Sequence, residues 1–400
     1  MIVLNGGDVV LPGKIRERAS VIVDDGRIAS VVPAPAAPAG AAVVDVSNCY
    51  IVPGFIDVHV HGIAGHDTLD GGDVVAQIAG ELPRHGVTAF CPTAVACGPD
   101  DLQLFLEQVS AAAGAPRANA ARVLPAHLES NFINPDFRGA QPLKCLRTPD
   151  QPRGAVAWPF TGSQILDVIE HARPSVGIVT LAPELPGGID LVRALAGAGH
   201  IVSLGHSGAD FDTAVAAIEA GARHATHLFN RMTPIAHRAP GLAGAVLARH
   251  DVAAELICDG YHVHPAMCAV AIAAKGPSRV MAITDATAGA GRPPGSAAML
   301  GGQTIHVRDG AAFLDDGTLA GSTLTMDRAF RNLVTLFRQS VVDAAVMCST
   351  TPARQLGLGG LGRIEEGQQA DLVVIDRDFK VVRTFVGGNQ VWPASPASAG

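Results

Sequence analysis

The sequence predicts an α/β fold: a distorted (β/α)8 TIM-like barrel with a small β-sandwich domain built from both chain ends. Three observations carry that expectation. Eight β-like runs recur through the middle of the chain, with helical patterns between them. Strand-rich segments with turn signals stand at the two ends. The chain has 400 residues, 48% of them hydrophobic, and 45 glycines, which suits a large α/β protein with many short turns.

The elements follow in order. MIVLNGGDVVLPG reads as a strand and turn, and VIVDDGRIASVV carries Asp-Gly at a hairpin position. AAVVDVSNCYIVPG follows a Pro/Ala-rich linker, so residues 1–53 form the first part of the β-sandwich. The barrel is expected over 54–364, its strands being FIDVHVHG, GVTAFCPTA, RVLPAHLES, VGIVTLAPE, HIVSLGHS, ARHATHLFN, VAAELICDG and RVMAITDA. Segments such as SQILDVIEHA and DFDTAVAAIEAGA have helical spacing, with Ser163 and Asp210 expected as N-caps. Residues 365–392 return to strand character in QADLVVID and FKVVRTFVGGNQVW and complete the sandwich. The tail 393–400, PASPASAG, has no apolar periodicity and is expected to be disordered.

Composition excludes several classes. The formal charge is −8 and no Lys/Arg block interrupts the chain, so no phosphate-neutralising surface for nucleic acid is in sight. The start has neither a basic flank nor a long apolar segment, so no membrane association is expected and the cytoplasm is the expected location. Seven scattered cysteines without a Cys-x-x-Cys pair argue against a disulfide framework and a thiolate zinc site. They read as reduced core residues, Cys145 lying nearest the chemically unusual loop. With 4% aromatic residues, stacking platforms for a long polysaccharide are scarce.

His59 and His61 are one residue apart on the first barrel strand, and the two-residue period of a strand points both to one side. They can share a metal. Glu129 closes the third strand, His206 the fifth, His227 the sixth and Asp285 the eighth. Singly, each has a bland explanation as a hydrogen-bonded structural group. Under the barrel hypothesis all six meet at the C-terminal mouth, where barrel enzymes carry their chemistry, and imidazole with carboxylate suits zinc or a similar divalent ion.

The motifs PGFIDVHVHG, HLES, SLGHS, THLFNRM, DGYHV, TDA, LAGSTLTMDRAFRNLV and LGRIEEGQQADLVVID resemble the amidohydrolase superfamily over nearly the whole chain. The combination with THLFN, DGxH and LAGS is similar to the branch that deacetylates N-acetyl-D-glucosamine 6-phosphate or a close N-acetylhexosamine 6-phosphate. That resemblance implies a metal-dependent amide hydrolase, with Glu129, His206 and His227 holding one tight divalent ion, zinc foremost, and His59 and His61 offering a second, weaker site. It implies Asp285 as general base and then general acid, giving acetate and an amino-sugar phosphate. It implies substrate contacts from Asn230 and Arg231 in THLFNRM, from His262 in DGYH, and from Ala140 and Gln141 in the loop after Glu129. Arg238 matches an arginine contributed across the interface of a homodimer.

The chain also departs from the branch. Ser130-Asn131 stand where Gly-Pro is usual, and Gln141 stands where a histidine polarises the substrate carbonyl. Arg231 replaces a small residue. Two accounts are open. Gln141 can serve as a weaker carbonyl donor, at a cost of about 1 kcal/mol, or the loop is rebuilt for another substrate. The competing functions are another amidohydrolase reaction, on a cyclic amide or an unphosphorylated sugar, and a catalytically silent barrel. Intact ligands and an intact Asp285 argue against the last.

Overall fold

The computed structural model describes residues 1–150 and 159–393, so that all of the expected disordered tail except Pro393 lies outside the described residues. Eight strands form the barrel: Phe55–Val60, Val87–Ala94, Ala126–Glu129, Val176–Leu181, Ile201–Leu204, His224–Ala225, Ala253–Ile257 and Val280–Ile283. Each pairs in parallel with the next. They coincide with the eight runs read from the sequence. Parallel strands covered on both faces are apolar nearly throughout, and here almost every strand residue is buried. The barrel is distorted. Its sixth strand has two residues, and the last strand's end meets the first through a bridge between Val60 and Ala286 and through bonds such as Asp285 N–H to His59 O at 3.0 Å.

Amphipathic helices separate the strands, among them Pro99–Gly114, Gly162–His171, Gly188–Gly197, Phe211–Ala220 and Pro265–Lys275. Asp210 caps its helix as expected, its side chain accepting from Thr213 N at 2.8 Å. Ser163 does not cap. The N-cap is Thr161, which forms a capping box with Gln164, so two orphan N–H groups are satisfied reciprocally and Ser163 falls inside the first turn.

The terminal strands hydrogen-bond into one eight-stranded sheet. Asp25 and Gly26, with φ of 45° and 71°, turn the hairpin between Lys14–Asp24 and Arg27–Pro33, as a two-residue primed turn requires. The two ends of the chain join where Tyr50–Pro53 pairs antiparallel with Leu372–Ile375. This sheet has its own apolar core, including Leu4, Val21, Ile51, Leu372 and Phe385. It is fastened to the side of the barrel where the strands begin. Arg122, just ahead of the third strand, makes a bidentate pair with Asp371 at 2.9 and 3.0 Å, and Thr384 donates to Pro83 O at 2.7 Å. The opposite mouth, where the strands end, stays free for chemistry.

A second, smaller antiparallel sheet follows the eighth strand, running through Ala297–Leu300, Gln303–Arg308, Ala311–Phe313 and Leu319–Ser322. The expected alternation of strands and helices does not include this sheet. Its core of Leu300, Ile305, Ala312 and Ala320 packs on Val95 beside the mouth, and Gln303 donates to Ala140 O at 2.7 Å. Among the described residues, no helix is long and apolar enough to cross a membrane.

Candidate metal centre and substrate cavity

The mouth of the barrel opens into a cavity of about 450 Å³. Its lining includes His61, Glu129, Ala140, Gln141, His206, His227, Asn230, Arg231, His262 and Asp285. Of the residues singled out in the sequence, His59 lies just beneath this surface and Arg238 lies away from it. Arg238 is exposed at the tip of a tight turn, closed by Ala236 N–H to Ala239 O at 3.0 Å and Ala239 N–H to Ala236 O at 3.2 Å.

Strand ends aim the polar groups. His206, His227 and Asp285 have φ of 48°, 30° and 51°, a left-handed backbone that costs non-glycine residues energy and concentrates where function over-determines the geometry. At each, the chain leaves the strand and turns the side chain into the mouth. Gly321 of the small sheet is needed beside Asp285, because a Cβ there would lie 2.9 Å from Asp285 O at a φ of 54°.

Two donor clusters result. Glu129 Oε1 lies 2.7 Å from His206 Nε2 and 2.8 Å from His227 Nε2, and the two imidazole nitrogens are 3.0 Å apart. In the second cluster, His59 Nε2 and His61 Nε2 are 3.2 Å apart, and Asp285 Oδ1 sits 3.4 and 3.3 Å from them. Glu129 Oε2 is 3.4 Å from His61 Nε2, so this carboxylate stands between the clusters.

The tautomers test whether a metal fits. His206 Nδ1–H donates to Phe137 O at 2.8 Å, and His59 Nδ1–H donates to Glu255 Oε2 at 3.0 Å. In the neutral imidazoles both Nε2 atoms therefore present lone pairs inward, each facing another imidazole nitrogen and a carboxylate oxygen. Converging lone pairs and anionic oxygens in a buried site are held together by a cation, and two imidazoles with one carboxylate suit a divalent ion with an open position.

When protonated, the same imidazoles supply the positive charge that these carboxylates face. Burial opposes ionisation of Glu129, but the His206 charge and hydrogen bonds from His206, His227 and His61 hold its carboxyl well below the usual range. Burial likewise opposes ionisation of Asp285, and His59 and His61 keep its carboxyl low. Burial takes His59 down to about 4.

Around these lie groups that sequence reasoning missed. Glu255, fully buried on the seventh strand, orients His59 as described, and burial raises its carboxyl to about 7. His127 donates from Nδ1 to Val58 O at 2.9 Å and meets Thr180 Oγ1 at 2.7 Å through Nε2. Asp57 accepts from Thr284 Oγ1 at 2.6 Å, tying the first strand to the eighth. Strand parity was the available signal for two of them, since His127 shares a face with Glu129 and Asp57 with His59. For Glu255 it was a lone carboxylate in an apolar strand.

On the cavity wall, His262 Nδ1 is fixed by Asp259 Oδ2 at 2.6 Å, which leaves Nε2 for a ligand. Asn230 is braced by the carbonyls of His227 and Leu228 at 3.2 and 3.4 Å. The unusual Ser130-Asn131 pair is built into the loop. Ser130 donates to Thr180 O at 2.5 Å, and Asn131 Nδ2 donates to Cys97 O at 2.8 Å and Cys145 O at 2.7 Å. Cys145 itself is a buried free thiol that burial pushes up, which makes it a core residue.

The model of the amidohydrolase family matches residues 50–391. An N-acetylglucosamine-6-phosphate deacetylase of Lysinibacillus sphaericus is 35% identical over 376 residues, covering 93% of each chain. An N-acetylgalactosamine-6-phosphate deacetylase of Escherichia coli O157:H7 is 34% identical, over 92% of this chain and 93% of its own. Among solved structures, a variant N-acetyl-D-glucosamine-6-phosphate deacetylase of Mycobacterium smegmatis, in complex with N-acetyl-D-glucosamine-6-phosphate, superposes with a TM-score of 0.86 at 33% identity, over 98% of this chain and 99% of its own.

Proposed function

The chain belongs to the amidohydrolase family, and from that premise we propose that it hydrolyses the acetamido group of an N-acetylhexosamine 6-phosphate, N-acetyl-D-glucosamine 6-phosphate first, to acetate and the amino-sugar phosphate. It is a hydrolase of a linear amide C–N bond that depends on a divalent metal. The observation that carries the reading is the meeting of Glu129, His206 and His227 with Asp285 at one cavity, in a chain whose relatives bear this activity.

We assign the tight ion, zinc, to Glu129, His206 and His227, and a weaker second position to His59, His61 and Asp285, all within the barrel domain 54–364. An ion so bound would lower the pKa of water toward about 7 and polarise the acyl oxygen. The chain's own residues do the rest. Asp285 takes the proton as the water oxygen bonds to the acyl carbon. It returns that proton to the nitrogen as the C–N bond breaks, so that the amine leaves neutral. His262, Asn230, Arg231, and Ala140 with Gln141 face the sugar and its acyl group from the cavity wall. The enzyme works as a homodimer in the cytoplasm, and Arg238 reaches the phosphate of the neighbouring subunit's substrate. The exposed position of Arg238, away from its own cavity, supports that arrangement.

Steady-state kinetics of metal-loaded protein on N-acetylglucosamine 6-phosphate, N-acetylgalactosamine 6-phosphate and their dephosphorylated forms tests the function. Preference for a phosphorylated sugar is expected; a faster reaction on the dephosphorylated sugars would overturn it. Arg238→Ala is expected to lower kcat/KM on the phosphorylated sugar by about 10–100-fold, the worth of one charge-assisted hydrogen bond, and to leave the dephosphorylated analogue unaffected. Equal losses on both would remove Arg238 from phosphate binding.

A further inference from the structure

We propose that Gln141 is a positioning residue for the metal site, holding the Glu129 carboxylate so that Oε1 faces the gap between His206 and His227. The proposal rests on the metal-dependent reading above. It starts from the orientation of one amide. Ala96 N–H donates to Gln141 Oε1 at 2.8 Å. A backbone N–H can meet only an acceptor, so this contact fixes which end of the amide is oxygen. The amide nitrogen is thereby turned toward Glu129, and Nε2 donates to Glu129 Oε2.

Glu129 needs such an anchor. The last torsion of a glutamate joins an sp³ to an sp² carbon and has no sharp staggered wells, so partners must set the plane of the carboxylate. Oε1 is taken by His206 and His227. Oε2 has Gln141 and, farther off at 3.4 Å, His61. Gln141 is itself immobilised. It is 3% exposed, its own N–H donates to Arg138 O at 3.0 Å, and the preceding carbonyl, Ala140 O, is held by Gln303. Partners that orient a ligating carboxylate tune the metal through it, and their loss typically weakens metal affinity by about 10–100-fold.

The test is a zinc titration of metal-free wild-type, Gln141→Met and Gln141→Ala proteins against a chromogenic chelator, with turnover followed as free zinc is raised. Methionine fills the space of glutamine without donating. The expected result is a zinc Kd raised about 10–100-fold in both variants, with turnover lost at stoichiometric zinc and regained in excess. An unchanged Kd in the variants would overturn the proposal and leave Gln141 only its place on the cavity wall beside the acyl group. A crystal structure of zinc-loaded wild-type protein decides the matter even if the variants fail to fold. Nε2 on Glu129 Oε2 supports the proposal, and Nε2 turned away from it refutes it. The titration needs no sugar, so failure to hydrolyse any acetamido sugar phosphate counts against the function and not against this result.

Discussion

Asp285→Asn is expected to leave the tight ion in place and to lower kcat by about 10²–10⁴-fold, the usual worth of a positioned general acid–base group. With one equivalent of metal, held by the tight site, the substitution isolates the proton transfer, because Asp285 belongs only to the weaker second cluster. Asparagine has nearly the shape of aspartate and is among the residues that best tolerate a left-handed backbone, so the φ of 51° at this position is kept. The backbone bonds that hold the residue, its N–H to His59 O at 3.0 Å and Ser322 N–H to its own carbonyl at 2.7 Å, do not involve the side chain. Glu129, His206 and His227 form a separate donor cluster and keep the tight ion. What is lost is an anionic oxygen able to take a proton from water and give it to nitrogen. Metal analysis alongside single-turnover rates checks this, and near wild-type kcat in metal-loaded Asp285→Asn protein would take the residue out of the mechanism.

Much of this site is legible in the sequence because strand geometry is simple. His59 and His61 had to share a face, and the strand ends at Glu129, His206, His227 and Asp285 had to gather at one mouth once eight strand–helix units were counted. What was not legible depends on partners distant in sequence. The contact between His59 and Glu255 spans 196 positions, so a lone carboxylate in an apolar strand marks Glu255 without pointing to its partner. Gln141 looked like a bare replacement for a carbonyl donor. Only the fold sets Ala96 N–H on one side of it and Glu129 on the other. The sheet over 297–322 had turn signals at Gly301-Gly302, Asp309-Gly310 and Asp316-Gly317, a pattern that a count of alternating strands and helices passes over. The helix expected to start at Ser163 starts earlier, because Thr161 and Gln164 form a reciprocal pair at its end.

Loss of any one of Glu129, His206 or His227 is expected to release the tight ion and bring turnover to background. Glu129→Gln is the sharpest of the three because it keeps size and removes charge. The two imidazoles would then face a neutral amide oxygen, a weaker ligand than a carboxylate, or an amide N–H, which cannot ligate. His206→Ala and His227→Ala each remove one nitrogen that stands within 2.8 Å of Glu129 Oε1, and two donors in place of three leave the ion exposed to exchange with water. A thermal readout separates metal loss from misfolding. An ion that binds only the folded state stabilises it by RT ln(1 + [L]/Kd), about 4 kcal/mol at a thousandfold excess over Kd. Adding zinc should therefore raise the Tm of wild-type protein and leave that of each variant where it was. A variant that keeps a full equivalent of metal, shows the wild-type thermal response and turns over normally would show that its residue is not a ligand. His59→Ala, by contrast, should preserve the first equivalent and remove only a second, so that metal stoichiometry distinguishes the two clusters without reference to the reaction.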